Sequence, residues 1–342
     1  MTRYQPSLVG RLLLVGAVVA ALGLGGAFWL GRSVVRAEPL HPVVALTLAW
    51  GSGPDQVGLA PVEGEGYVGP NTFFVDEEGN FHILDAINES LKKFSPQGTL
   101  LDNTPLPKGI ARGVKQIIVT GGVVAISYLN DTWGSDLGFA RDGKFQAVPL
   151  TEQVPGFVGF YWFERTTQPK MIVVRRDIPP EDEASDKAPF KLVLGLDGRV
   201  IRTLTSRNAS ADEKIPRYMI RTTPSGNLAL EAWDLNGQPT KSIDLGYASS
   251  DLVWGVGLDG KGDLYLHARS AAPGTTSTWL LVYDRGLNLV GRHELVIDQD
   301  WEAHEYQPTL SAGNMEMVGL NGIYCEMRYM KDGFTIFQYS PR

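Results

Sequence analysis

NTFFVDEEGNFHILDAINESLKKFSPQGTL, residues 71–100, packs two strand patterns and two glycine turns into one compact unit. Phe73, Phe74 and Val75 form an apolar strand end, Asp76 to Asn80 turn around Gly79, and Phe81, Ile83 and Leu84 lead the chain back as a hairpin. A second connection, Asp85 to Ser90, runs into Leu91–Phe94, and Ser95, Pro96, Gln97 and Gly98 turn the chain again toward Leu100.

Four short strands in about 45 residues is the size of a β-propeller blade. Outward from this unit, glycine turns recur at Gly98, Gly143, Gly198, Gly237, Gly286 and Gly333, with gaps of 45, 55, 39, 49 and 47 residues. Six marks predict an all-β, six-bladed propeller over residues 67–342, with strands such as Gln116 to Ser127, Lys191 to Leu196, Asn227 to Trp233, Asp263 to Ala268 and Phe334 to Tyr339. A seven-bladed count requires splitting the long third unit. No helical periodicity of useful length interrupts the strands, and one all-β domain of this size exceeds a sandwich but suits a ring.

A ring must also close. Residues 32–66 read as a Pro- and Gly-rich tether containing one strand, Val43 to Trp50, whose Val44, Leu46, Leu48 and Trp50 share a face. That strand is the natural candidate to complete the last blade and cover its free edge.

GPN, VD, EGN, ILD, Asn88 and KKFSPQG resemble the NHL-repeat type of six-bladed propeller, of the TolB-like superfamily and in its membrane-anchored bacterial form. Asp85 and Asn88 stand on that pattern's Asp and Asn, whereas Ser90 stands where the pattern has Arg and Leu91 where it has Ile. The match covers residues 69–98; the other units share turn spacing and strand pattern with it.

The leader is a second strong signal. Leu12 to Leu30 is a run of 19 residues without a charge, bracketed by Arg11 and Arg32, long enough to cross a bilayer core of about 30 Å. Residues 12–31 are therefore expected to be a single transmembrane anchor in the cytoplasmic membrane, with residues 1–11 cytoplasmic and the propeller on the extracytoplasmic side. A cleaved signal peptide ending at Val35-Arg36-Ala37 is the competing reading.

The formal charge of −7 becomes −11 once the four leader arginines, at 3, 11, 32 and 36, are set aside. An acidic surface disfavours nucleic acid and anionic lipid headgroups. The single Cys325, in the apolar setting GIYCEM, excludes an internal disulfide and reads as a buried thiol. Arg175 to Pro189 reads as a solvated acidic loop, and Asp298 to Glu305 as an exposed connection.

No GxSxG elbow, HExxH pair, P-loop, Cys/His metal spacing or nucleotide fingerprint is present. The expected function is accordingly a membrane-tethered binding or scaffolding propeller for an envelope protein or small ligand, without a cofactor. Its candidate contact residues are Tyr161, Trp162, Trp254 and Trp279, if some of these ring one mouth of the channel. The family resemblance implies an alternative, a gluconolactonase-like or streptogramin-lyase-like enzyme whose divalent cation is held by Glu, Asn and Asp from different blades. The metal candidates are then Glu63 or Glu65, Asn71, Asn130 and Asp251.

Overall fold

The computed structural model describes residues 38–62, 66–129, 135–157, 159–164, 166, 170–177, 189–206, 209–211, 216–271, 277–296 and 316–341. They form a six-bladed β-propeller with almost no helix. Blade 1 is Thr72–Val75, Phe81–Asp85, Ser90–Phe94 and Leu100–Pro105; blade 2 is Val114–Thr120, Val123–Leu129, Ser135–Arg141 and Lys144–Val148. Blade 3 is Phe160–Glu164, Ile172–Asp177, Lys191–Leu194 and Val200–Leu204, and blade 4 has three strands among the described residues, Arg217–Thr222, Asn227–Trp233 and Pro239–Ala248. Blade 5 is Leu252–Leu258, Leu264–Arg269, Thr278–Tyr283 and Leu289–Leu295; blade 6 contributes Glu316–Val318, Tyr324–Met330 and Gly333–Tyr339.

Eight hairpins use one five-residue turn. In each, the first residue's N–H donates to the fifth residue's C=O, and the fourth residue's N–H donates back to the first; the turns begin at Asp76, Ser95, Gly195, Thr223, Asp234, Asp259, Asp284 and Gly319. The fourth residue takes a positive φ, as at Gly79 (+82°), and an Asp, Ser or Thr in first place accepts backbone N–H bonds from inside the turn. Local chemistry thus explains the recurring Asp/Ser…Gly signal. In blade 5 the left-handed position falls on buried Leu287 (+56°), one residue after the expected Gly286.

The stretch Gln116 to Ser127, expected as one strand, is parts of two. Gly121 (φ +55°) and Gly122 (φ +77°) form a two-residue turn whose twist suits a hairpin, and the strands on either side pair back to back.

Val43–Ala49 pairs antiparallel with Gly333–Tyr339, so the last blade is completed by a strand from the other end of the chain. A register shift between Val44 and Leu46 changes the phase: Leu46 and Leu48 are buried, while Val44 is 59% exposed. Upstream, Glu38–Leu40 lies parallel to Leu289–Leu295 at the edge of blade 5. Downstream, residues 51–58 cross to blade 1, where Asp85 accepts the Gly58 N–H at 3.1 Å and Asn88 Nδ2 donates to the Gly51 carbonyl at 2.9 Å. Lys92, whose side chain is 1% exposed, donates to the Gly53 and Gln56 carbonyls and pairs with Asp85 at 3.0 Å. This lysine, two positions beyond Ser90, takes the buried cation role beside Asp85.

Apolar side chains fill the seams between blades. Phe73, Phe81 and Phe94 meet Met317, Met327 and Phe334 where blade 1 closes on blade 6, and Leu228, Leu230, Leu264 and Leu266 join blades 4 and 5. Each such buried side chain contributes roughly 1.5–3 kcal/mol. Cys325 is buried in the first of these cores. Between blades 3 and 4 there is also an ionic knot: fully buried Lys191 bonds Glu164 at 2.9 Å and the Ala209 carbonyl, with Arg217 at 3.5 Å from the same carboxylate. Burial pulls the Lys191 ammonium down to about 8, against the attraction of Glu164.

The charge-free run 12–30, most of the acidic loop at 175–189 and the connection 298–305 lie outside the described residues. Among the described residues no helix is long and apolar enough to cross a membrane.

Two outcomes follow for stability. Gly79→Val should destabilise by roughly 1–3 kcal/mol, because a β-branched residue resists positive φ; an unchanged thermal midpoint would contradict the turn. Lys92→Met should cost roughly 3–5 kcal/mol in urea unfolding by stranding the buried Asp85 charge, and Lys92→Met with Asp85→Asn should recover much of that loss. A single variant as stable as the parent would show that residues 51–58 are held by something else.

Candidate functional site

The innermost strands of the blades surround the central channel. Where they end, a cavity is lined by Val75 and Glu77 of blade 1, Thr120 of blade 2, Glu164 of blade 3, Asp259 of blade 5 and Leu320 of blade 6. Two of these carboxylates are committed to structure: Glu164 to Lys191 and Arg217, and Asp259 to the N–H groups of its own turn. Glu77 is exposed.

Further along the channel wall, the seam of blades 5 and 6 holds a concentration of ionisable groups. Glu316 sits on the innermost strand of blade 6 and accepts from Trp254 Nε1 at 3.1 Å, and it bonds His267 Nδ1 at 2.9 Å. The His267 ring lies under the Trp254 indole, centroids 4.2 Å apart. Across the strand pair from Glu316 is Glu326, which accepts from Arg328 Nη2 at 2.5 Å. Tyr324 and Tyr339 stand beside them, fully buried. Alternation explains the grouping: Tyr324, Glu326 and Arg328 share one face of a strand, and that face meets blade 5.

Burial dominates the electrostatics. It pushes the Glu326 carboxyl up to about 7, with Glu316 adding to the rise and Arg328 opposing it. Burial likewise raises the Tyr324 phenol well above its ordinary value, and the nearby Glu326 and Glu316 raise it further. The seam can therefore hold or release a proton near neutral pH, next to a tryptophan that is 38% exposed.

Of the four aromatic candidates, Trp254 alone combines an innermost strand with an exposed ring. Tyr161 is buried, stacked on Phe157 at 5.1 Å with its hydroxyl donating to the Phe157 carbonyl; burial pushes it up to about 12. Trp162 is half-buried on the innermost strand of blade 3. Trp279 belongs to the third strand of blade 5, where it packs against the Arg292 guanidinium at 4.4 Å. The four do not ring one mouth, because they occupy different strand positions in two blades.

Among the metal candidates, Asn71 is buried at the start of blade 1 and donates Nδ2 to the Val114 carbonyl at 3.2 Å, leaving Oδ1 without a partner. Asp251 caps the turn into blade 5, accepting the Ala248 and Ala271 N–H groups at 2.9 and 2.8 Å; those bonds hold its carboxyl below the usual range. Glu63, Glu65 and Asn130 lie outside the described residues. Among the described residues no three His, Cys, Asp or Glu side chains converge as a metal site would need.

Sequence reading singled out Trp254 but missed His267, Glu316 and Glu326. The available signal was Glu326 itself, a carboxylate flanked by apolar residues in YCEMRYM, at an inward strand position.

No protein family and no curated protein matches the chain by sequence. Solved structures resemble it in fold at low identity. A member of the DUF4221 family from Bacteroides vulgatus aligns over 89% of this chain and 98% of its own, with 12% identity and a TM-score of 0.45. Streptogramin B lyase aligns over 82% and 97%, with 12% identity and a TM-score of 0.41. Regucalcin, a calcium-binding protein from Agrobacterium tumefaciens, aligns over 90% and 98%, with 13% identity and a TM-score of 0.37.

The raised Glu326 carboxyl has a definite sign. A carboxyl that binds its proton more tightly when folded stabilises the protein fully below its ordinary value, near 4.5, and loses that contribution as pH rises through about 7. Glu326→Gln should therefore remove a loss of up to roughly 3 kcal/mol between pH 5 and pH 8. Urea midpoints across that range check it; parallel curves for parent and variant would contradict the assignment.

Proposed function

We propose that the chain is a membrane-tethered, extracytoplasmic binding propeller of the NHL-repeat and TolB-like type, anchored by residues 12–31 and engaging an envelope protein or small ligand at its channel. The observation that carries this reading is Trp254. A large apolar ring on the innermost strand of blade 5 is part-exposed, and two contacts hold it: the Glu316 carboxylate and the His267 ring. An ordered, part-exposed aromatic with a polar neighbour is the kind of anchor that binding sites use, because little conformational freedom remains to be lost on contact.

The metal-dependent enzyme reading draws no such support from the described candidates, since Asn71 and Asp251 serve neighbouring backbone groups. Membrane placement rests on the run from Leu12 to Leu30, which offers lipid no charge.

Crosslinking and pull-down from intact membranes test the reading. A specific envelope partner should be recovered with the parent chain and lost with Trp254→Ala, and Leu14→Arg with Val18→Arg should abolish export by adding roughly 2.5–3.5 kcal/mol each to insertion. Protease should reach residues 38–342 in spheroplasts. Stoichiometric calcium or zinc in the purified protein would move the reading to the enzyme, and protection from protease in spheroplasts would overturn the orientation.

A further inference from the structure

The seam between blades 1 and 2 opens into a groove of about 550 Å³, within the size range of ligand pockets. Its apolar lining combines buried Leu91, Val124 and Ala140 with half-buried Val119, and Leu101 stands at its edge with 52% of its surface exposed. The Gly121–Gly122 turn borders it without side chains; a Cβ at Gly122 would meet nothing within 4 Å. Glu77, Val119 and Thr120 line both this groove and the cavity at the channel mouth, so the two are neighbours.

The charge around the groove is one-sided. Glu77, Glu78, Asp102 and Asp142 are exposed carboxylates, against two cations, Lys93 and Arg141. Lys93 is already engaged by Asp76 at 3.2 Å and by Glu78 at 3.9 Å. Asp76 itself is satisfied by His82 and Asn80, whose hydrogen bonds outweigh its burial and hold its carboxyl far below the usual range. Asp102 lies across the seam from the Asp142-Gly143 turn, its Oδ1 3.8 Å from where a Gly143 Cβ would be.

We propose that this groove takes an extended, cationic peptide segment with alternating apolar and Lys or Arg residues. An extended chain points successive side chains to opposite sides, so one set can lie on Leu101 and Val119 while the other reaches Asp102, Asp142 and Glu77. An acidic rim around an apolar lining selects for such a partner and against an acidic one. The inference rests on the reading of the chain as a binding propeller and specifies its occupant.

The test is fluorescence polarisation with the purified full chain in a neutral detergent, using labelled Lys-Leu-Lys-Leu-Lys-Leu and Glu-Leu-Glu-Leu-Glu-Leu peptides. The basic peptide should bind and the acidic one should not, with binding weakened by salt. Asp102→Asn with Asp142→Asn should lower affinity at least tenfold, whereas Asp197→Asn with Asp244→Asn, the same charge loss outside the groove, should bind as the parent does. Failure of the basic peptide to bind, equal binding of both peptides, or equal losses in the two double variants would each overturn the proposal. Such a failure with an envelope partner still recovered by pull-down would leave the binding-propeller reading standing.

Discussion

A buried ion pair, Asp85 with Lys92, ties the chain that leaves the closing strand to the first blade. Taking two charges out of water is costly, and the cost is offset here only because each partner has further bonds: Asp85 accepts from Gly58 and Asn88, and Lys92 donates to the Gly53 and Gln56 carbonyls. Those bonds hold residues 51–58 against blade 1, directly after the strand that completes blade 6. Val43–Ala49 is the outer strand of its sheet, paired with Gly333–Tyr339, and the crossing gives the same stretch of chain a second attachment, on blade 1.

Much of this architecture was legible because it is written locally. The five-residue turn needs an oxygen acceptor in first place and tolerance of positive φ in fourth, so Asp76…Gly79, Ser95…Gly98, Asp234…Gly237 and Asp259…Gly262 announce themselves within five residues. The same logic misled at Gln116 to Ser127, where a continuous apolar pattern hid a Gly-Gly turn, and at Val44, where a bulge reversed the alternation. The cation that pairs with Asp85 is Lys92, two positions beyond Ser90, and only three-dimensional closeness identifies it.

The channel wall was far less legible. Trp254, His267, Glu316 and Glu326 come from two blades and from four strands, separated by up to 72 residues, and no spacing rule connects them. The groove between blades 1 and 2 is likewise a property of the seam. Its apolar lining and its carboxylates come from turns and strand edges that each look ordinary in sequence. Propellers distribute function in this way because every repeat contributes one position to each shared surface.

The closing pair of strands also constrains the order of events in folding. Thr47 and Thr335, whose hydroxyls meet at 3.4 Å, are 288 residues apart in the chain. Contacts of such separation form late and slowly, since the loop between them must be ordered before they offer any return. The strand Val43–Ala49 therefore emerges from synthesis long before its partner, Gly333–Tyr339, is made. Through that interval Val43–Ala49 lacks its partner, and an unpaired strand can pair with another copy.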